Sequence, residues 1–194
     1  MTTSKFVVCS YFTAGTGYEK EARTLEASLI LHEIWPYHIE RVKNFGTWQK
    51  NTLYKARFIL RMMMKFPGYS VVFTDADSMF HSYPQLFGDM NGVDFGCHYR
   101  DWHARRGELL SGTLYIANNS RMRRIVSEWI KANKNRPHML EQRNLESVIR
   151  ENAGKINIHR LPIEYCCIFD DENRRKIRPI IEHFQASRRL KGSV

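Results

Sequence analysis

The sequence predicts an α/β fold on a mixed central sheet, and three observations carry that reading. Strand-like apolar runs alternate with segments of helical periodicity from the N-terminus onward. The compact run Val71–Thr74 stops abruptly at two carboxylates, Asp75 and Asp77, as a buried strand does when it reaches a site at its carboxyl end. The composition (43% hydrophobic, 12% aromatic, 26% charged over 194 residues) is that of a chain able to bury one core, which excludes disorder.

In chain order, Phe6–Tyr11 is a β-branched and aromatic run that reads as a strand, closed by the Gly/Thr turn TAGTG. Ala22, Leu25, Leu29 and Ile30 then recur at helical spacing. Tyr37–Val42 is a short strand, residues 47–66 read as one helix stopped by Pro67-Gly68, and Val71–Thr74 follows. Strand, helix, strand, helix, strand is the order of a sheet with crossover helices. The second half predicts strands at Val93–Tyr99 and Leu114–Ala117, and helices at Arg121–Ala132 and Glu141–Glu151. Further strands fall at Ile156–Leu161 and Tyr165–Phe169, and a basic tail from Asn173 to Lys191 encloses the apolar stretch PIIEHF. No repeat or linker divides the chain, so residues 1–194 are expected to form a single domain.

Thirty Lys+Arg against twenty Asp+Glu give a formal charge of +10. That balance suits polyanionic partners, an anionic small substrate such as a nucleoside diphosphate, or simple solubility. Cys9, Cys97, Cys166 and Cys167 lack metal-type spacing and sit among apolar neighbours, so four reduced thiols are expected. MTTS leads directly into a strand, and no apolar run approaches the ~20 residues of a membrane span. A soluble, cytoplasmic protein of a bacterium or of a phage-infected cell is the expectation.

In VVFTDADSMF the two carboxylates stand one residue apart, and in extended geometry residues i and i+2 project to one side. Both can face one hard divalent cation, Mn²⁺ or Mg²⁺, which takes a few carboxylates together with phosphate oxygens. Taken alone, the tripeptide equally suits a loop whose aspartates cap the next turn. The pattern also resembles the nucleophile motif of DxD phosphatases, but those place it on the first strand, and Ser78-Met79 departs from their continuation.

The helix at 47–66 adds a separate signal. Tyr54, Phe58, Ile59, Met62 and Phe66 form one apolar arc, with Lys50, Arg57, Arg61 and Lys65 outside it. Lys55 falls near the middle of that arc. A buried ammonium needs a charge partner, either a diphosphate or the acidic pair; a lysine snorkelling from the helix end is the alternative.

With these residues in hand, the chain resembles the nucleotide-diphospho-sugar transferases of the GT-A fold. It looks most like small phage and bacterial glycosyltransferases, and more distantly like the glycogenin and lipopolysaccharide galactosyltransferase group. YFTAGTGYEKEA resembles the first strand and nucleotide loop, GTWQKNTLYKARFIL the helix before the metal motif, and VVFTDADSMF that motif itself. ELLSGTLYIANN resembles the acceptor-side strand, EQRNL stands where many members have Asp-Gln, and IEHFQASRRLK resembles the C-terminal His segment.

The resemblance implies that Tyr11 and Thr13 contact the nucleoside and that Lys55 touches the diphosphate. It implies Asp75, Asp77 and His183 as metal ligands, with Asp75 and Ala76 also on the donor. Arg188, Arg189 and Lys191 would hold the leaving diphosphate. Two departures stand out: Leu110-Ser111-Gly112 where the family often has Asn, and Glu141 in place of Asp before Gln142. The implied activity is transfer of a sugar from a nucleoside-diphosphate sugar, by default UDP-linked, to an acceptor hydroxyl. Under inversion Asp101 or Glu141 is the base; under retention, which the resemblance favours, Gln142 lies near the reacting face. The acceptor could be a glycan or, given the charge, a hydroxylated base in DNA. The alternative from another class is a non-catalytic nucleic-acid-binding protein on the same scaffold.

Overall fold

β1 (Phe6–Thr13), the first strand of the chain, is buried on both faces, and its alternation explains the layering. Phe6 and Val8 point to one core, Val7 and Cys9 to another. The computed structural model describes residues 4–102, 105–170 and 176–190, apart from the side chains at 101, 102, 105, 106, 189 and 190. After β1 come α1 (Tyr18–Leu31), β2 (Tyr37–Val42), α2 (Trp48–Leu53), α3 (Lys55–Lys65), β3 (Ser70–Thr74) and β4 (Ser78–Phe80). The second half supplies β5 (Phe95–Trp102), β6 (Arg105–Ile116), α4 (Ser120–Asn135), α5 (Glu141–Asn152), β7 (Ile158–Arg160), β8 (Cys167–Ile168), β9 (Ile181–His183) and α6 (Ser187–Leu190).

Six strands form a mixed sheet in the order β2-β1-β3-β6-β5-β7, and β4, β9 and β8 form a second, three-stranded sheet. β1 runs parallel to β2 and β3, whereas β6 is antiparallel to β3 and β5. One face of the large sheet packs on α3, α4 and α5 through Phe58, Met62, Trp129 and Leu145. The other packs on α1 through Leu25 and Leu29, with Phe80 and Phe87. The expected mixed sheet flanked by helices is present.

Three differences from the sequence reading have physical causes. The helix expected over 47–66 is two helices meeting at Tyr54. The Asn51 carbonyl accepts from Tyr11 Oη at 2.8 Å and from Tyr54 N at 3.3 Å, so the ladder tightens to an i−3 bond there. The strand expected at Leu114–Ala117 is the end of the twelve-residue β6, whose earlier, mixed polar residues pair with β5 around a bulge. Tyr165–Phe169 keeps only two strand residues, because Ile163–Tyr165 form a 3₁₀ turn before Cys167. The four cysteines are free and buried, as expected. No helix among the described residues is long and apolar enough to cross a membrane.

Candidate functional site

At the carboxyl ends of β1 and β3 lies a cleft of about 310 Å³. Tyr11, Thr13, Lys55, Asp75, Ala76, Asp77, Glu141, Gln142, His183 and Arg188, all singled out in the sequence, line it. The side chains of Asp101 and Arg189 and the whole of Lys191 lie outside the described residues.

Asp75 and Asp77 reach the cleft by a different route from the one the strand pattern suggested. β3 ends at Thr74, and the Asp75 carbonyl accepts from Ser78 N at 3.1 Å and from Ser78 Oγ at 2.8 Å. The carboxylates therefore converge across a tight turn rather than along an extended strand. The turn is tied to β6 by the Asp75 amide, which donates to the Gly112 carbonyl at 3.0 Å. One Asp77 oxygen accepts from Ala186 N at 2.7 Å. Burial pushes the Asp77 carboxyl up to about 6, and the negative charge of Asp75 adds to the effect.

His183 arrives from the C-terminal region because β9 pairs antiparallel with β4, in a register that sets His183 opposite Ser78. Phe184 N donates to the Asp77 carbonyl at 2.9 Å, clamping the two segments together. Gln185 adopts φ 51°, turning the chain so that the next amide reaches Asp77; for a residue with a Cβ this costs roughly 1–2 kcal/mol. His183 is buried, its Nε2 lies 2.8 Å from Thr113 Oγ1, and Cys166 also contacts the ring. Burial alone would lower the affinity of the ring for a proton; Cys166 and Asp75 more than offset it.

One donor atom each from Asp75, Asp77 and His183 lies within 4.8 Å of the others. Two carboxylate oxygens and an imidazole nitrogen suit a divalent cation with open positions for a substrate. The floor of this cluster is Gly112. A Cβ there would lie 3.0 Å from His183 Cε1, 3.2 Å from its Nδ1 and 3.5 Å from an Asp75 oxygen. Only a residue without a side chain leaves that space open.

Lys55 is the first residue of α3 and is 3% exposed. Its Nζ meets Glu141 Oε1 at 2.8 Å, Asp75 Oδ1 at 3.0 Å, the Ser111 carbonyl at 3.1 Å and Ser111 Oγ at 3.2 Å. The Phe73 ring lies beneath it at 5.0 Å. Burial works against the charge, but the two carboxylates outweigh it and hold the ammonium firmly protonated. Lys55 is thus buried rather than snorkelling to solvent, and its charge partners within the chain are Asp75 of the acidic pair and Glu141.

Glu141 opens α5 and is buried. Burial raises its proton affinity, with Lys55 opposing. Its Oε1 accepts from Ser111 Oγ at 2.7 Å, whereas Oε2 has no hydrogen-bond partner among the described residues. Gln142 Oε1 accepts from Ser111 N at 3.1 Å, and its Nε2 donates to Glu108 at 3.0 Å. Ser111, noted in the sequence only as a departure from Asn, is thus the hub joining Lys55, Glu141 and Gln142.

Tyr11 packs edge-on against Tyr54, and Thr13 Oγ1 lies 3.2 Å from Thr16 Oγ1. Arg188 pairs with Asp170 at the cleft wall. Trp48, Tyr18 and Cys166 also line the cleft and had no signal in the sequence: two are isolated aromatics, and Cys166 reads as a buried thiol.

The nucleotide-diphospho-sugar transferase family matches residues 30–187. Solved structures of similar fold include a glycosyltransferase involved in the glycosylation of the major capsid of PBCV-1, 13% identical with a TM-score of 0.71 over 93% of each chain. GlyE from Streptococcus pneumoniae TIGR4 is 16% identical with a TM-score of 0.62, covering 93% of this chain and 54% of that one. Mouse xyloside xylosyltransferase 1 is 11% identical with a TM-score of 0.58, covering 94% of this chain and 98% of that one. No curated protein matches the chain.

Proposed function

The chain belongs to the nucleotide-diphospho-sugar transferases and is a GT-A glycosyltransferase; on that premise we propose that it moves a sugar from a UDP-sugar to an acceptor hydroxyl, with retention, at a divalent cation held by Asp75, Asp77 and His183. The observation that carries the proposal is the convergence of those three side chains, from a turn after β3 and from β9, over the bare Gly112 floor. Mn²⁺ or Mg²⁺ held there supplies neutralisation of the charge that builds on a departing diphosphate.

The chain's own residues supply the rest. Arg188, on the same wall, adds fixed positive charge for the phosphates, with Arg189 and Lys191 following it in sequence. Lys55 already meets four acceptors, more than the three protons of an ammonium, so its work is indirect. It holds Asp75 and Glu141 in place and opposes the burial that raises the proton affinity of Glu141. Glu141 Oε2 is a buried acceptor without a hydrogen-bond partner among the described residues, at the wall of the cleft, and Ser111 fixes the carboxylate through Oε1. Gln142, held at both ends of its amide, borders the reacting face. Glu141 is engaged by Lys55 and the amide of Gln142 is not a base, so among the described side chains of the cleft the leaving phosphate is favoured as the group that takes the acceptor's proton. Tyr11, Thr13 and Ala76 line the nucleoside side of the cleft. The formal charge of +10 favours an anionic acceptor, a glycan or a hydroxylated base in DNA.

The test is a screen of nucleoside diphosphates and their sugars by thermal shift, with and without Mn²⁺. UDP with Mn²⁺ should stabilise the wild type and leave Asp77→Ala unshifted. A shift without metal, or none with any nucleotide, would sink the proposal. Salt-sensitive DNA binding indifferent to nucleotides would favour the non-catalytic reading instead.

A further inference from the structure

Behind His183, on the side away from the cleft, lies a layer of buried hydroxyls. Thr113 and Thr74 are neighbours across the β3–β6 pair, Thr74 Oγ1 lies 2.8 Å from Ser78 Oγ, and Ser78 stands opposite His183 in the small sheet. Thr113, Thr74 and Ser78 are each at most 1% exposed. Thr113 is the one of the three with a hydrogen bond to the ring among the described residues, its Oγ1 lying 2.8 Å from Nε2. The other ring nitrogen, Nδ1, borders the space above Gly112, where an Asp75 oxygen also lies.

An imidazole that offers a lone pair through one nitrogen must carry its proton on the other. The group that accepts that proton therefore chooses which nitrogen can ligate. We propose that Thr113 is a positioning residue for His183: its hydroxyl oxygen accepts Nε2–H and so presents Nδ1, unprotonated, to the cation position shared with Asp75 and Asp77. This rests on the metal site proposed above. It assigns a role to a β6 side chain that neither lines the cleft nor touches a substrate. Cys166 also hydrogen-bonds the ring but is not among the three residues whose donor atoms cluster.

If Thr113 instead donated its proton to Nε2, Nδ1 would carry the hydrogen and offer no lone pair to a cation. The two arrangements give different spectra. In the metal-free protein, ¹⁵N–¹H NMR of the ring, assigned by its loss in His183→Gln, should show the proton on Nε2. Thr113→Val keeps the shape and removes the acceptor; its dissociation constant for Mn²⁺, by isothermal titration, should rise about 10- to 100-fold. Thr113→Ser should restore binding to within about threefold of wild type.

A wild-type ring protonated on Nδ1, or a folded Thr113→Val that binds Mn²⁺ as wild type does, would overturn the assignment. The wild-type spectrum decides by itself if the valine variant does not fold. Failure of the wild type to bind any divalent cation would overturn the metal site itself, an outcome distinct from normal wild-type binding with an indifferent Thr113→Val.

Discussion

Lys55→Met tests whether the ammonium is the brace of the site. Methionine matches the stem and removes only the charge. Asp75 Oδ1 and Glu141 Oε1 lie 3.0 and 2.8 Å from Nζ, so without it two carboxylate oxygens face each other across a buried gap. Two like charges about 6 Å apart repel by about 3 kcal/mol at an effective dielectric of 20. Removing one partner of a buried pair costs about 3–5 kcal/mol by direct measurement in other proteins, which agrees. For a chain of this size each kcal/mol moves Tm by about 2–4 °C, giving an expected fall of about 6–20 °C at pH 7.5 without metal.

The loss should also depend on pH. Burial holds Glu141 above its ordinary value even with Lys55 opposing, so in the variant it titrates higher still. A carboxyl raised in the folded state favours folding while protonated and loses that contribution as pH rises through the folded pKa. The gap between variant and wild type should therefore be small near pH 5 and widen toward pH 8. Differential scanning fluorimetry across that range measures it. Lys55→Met/Glu141→Gln should recover more than half of the loss, because the second charge is gone. A Tm within 3 °C of wild type at pH 7.5, or a deficit independent of pH, would refute the brace.

Gly112→Ala should weaken Mn²⁺ binding about 10- to 100-fold, because the new Cβ displaces His183 beyond the ~0.2 Å that a ligand set tolerates; titration of folded protein checks it. Since the Asp77 carboxyl sits up at about 6, Mn²⁺ affinity should fall as pH drops through 6, read by titration at pH 5.5 and 7.5. Without metal the same raised value means that stability declines between about pH 4 and 6; Asp77→Asn should remove that slope and be up to about 3 kcal/mol more stable at pH 7. Arg188→Ala should lower affinity for UDP in the presence of Mn²⁺ while moving stability by less than about 1 kcal/mol, its partner Asp170 being an exposed ion pair.

The alternating strands and helices, the position of Asp75 and Asp77 at the end of an apolar strand, and the anomaly of Lys55 are all readable from the residues alone. These are legible because periodicity and the expense of a buried charge act locally, within a turn or a strand. The resemblance added His183 and the order of motifs. It assigned Lys55 to the diphosphate; the contacts of Lys55 within the chain are Asp75, Glu141 and Ser111.

The rest depends on which strands meet and in what register, and no local pattern carries that. A one-residue slip in β4–β9 would turn His183 away from Asp77. Ser111, Gly112 and Thr113 read in the sequence as an ordinary small-residue strand. Paired against β3, they become, in succession, the hub of the lysine network, the open floor beneath the three donor atoms and the hydroxyl behind His183. β6 bulges across these residues, Leu110 pairing with His98 and Leu114 with Cys97, so simple alternation does not hold there and only the folded sheet says which partner each residue meets.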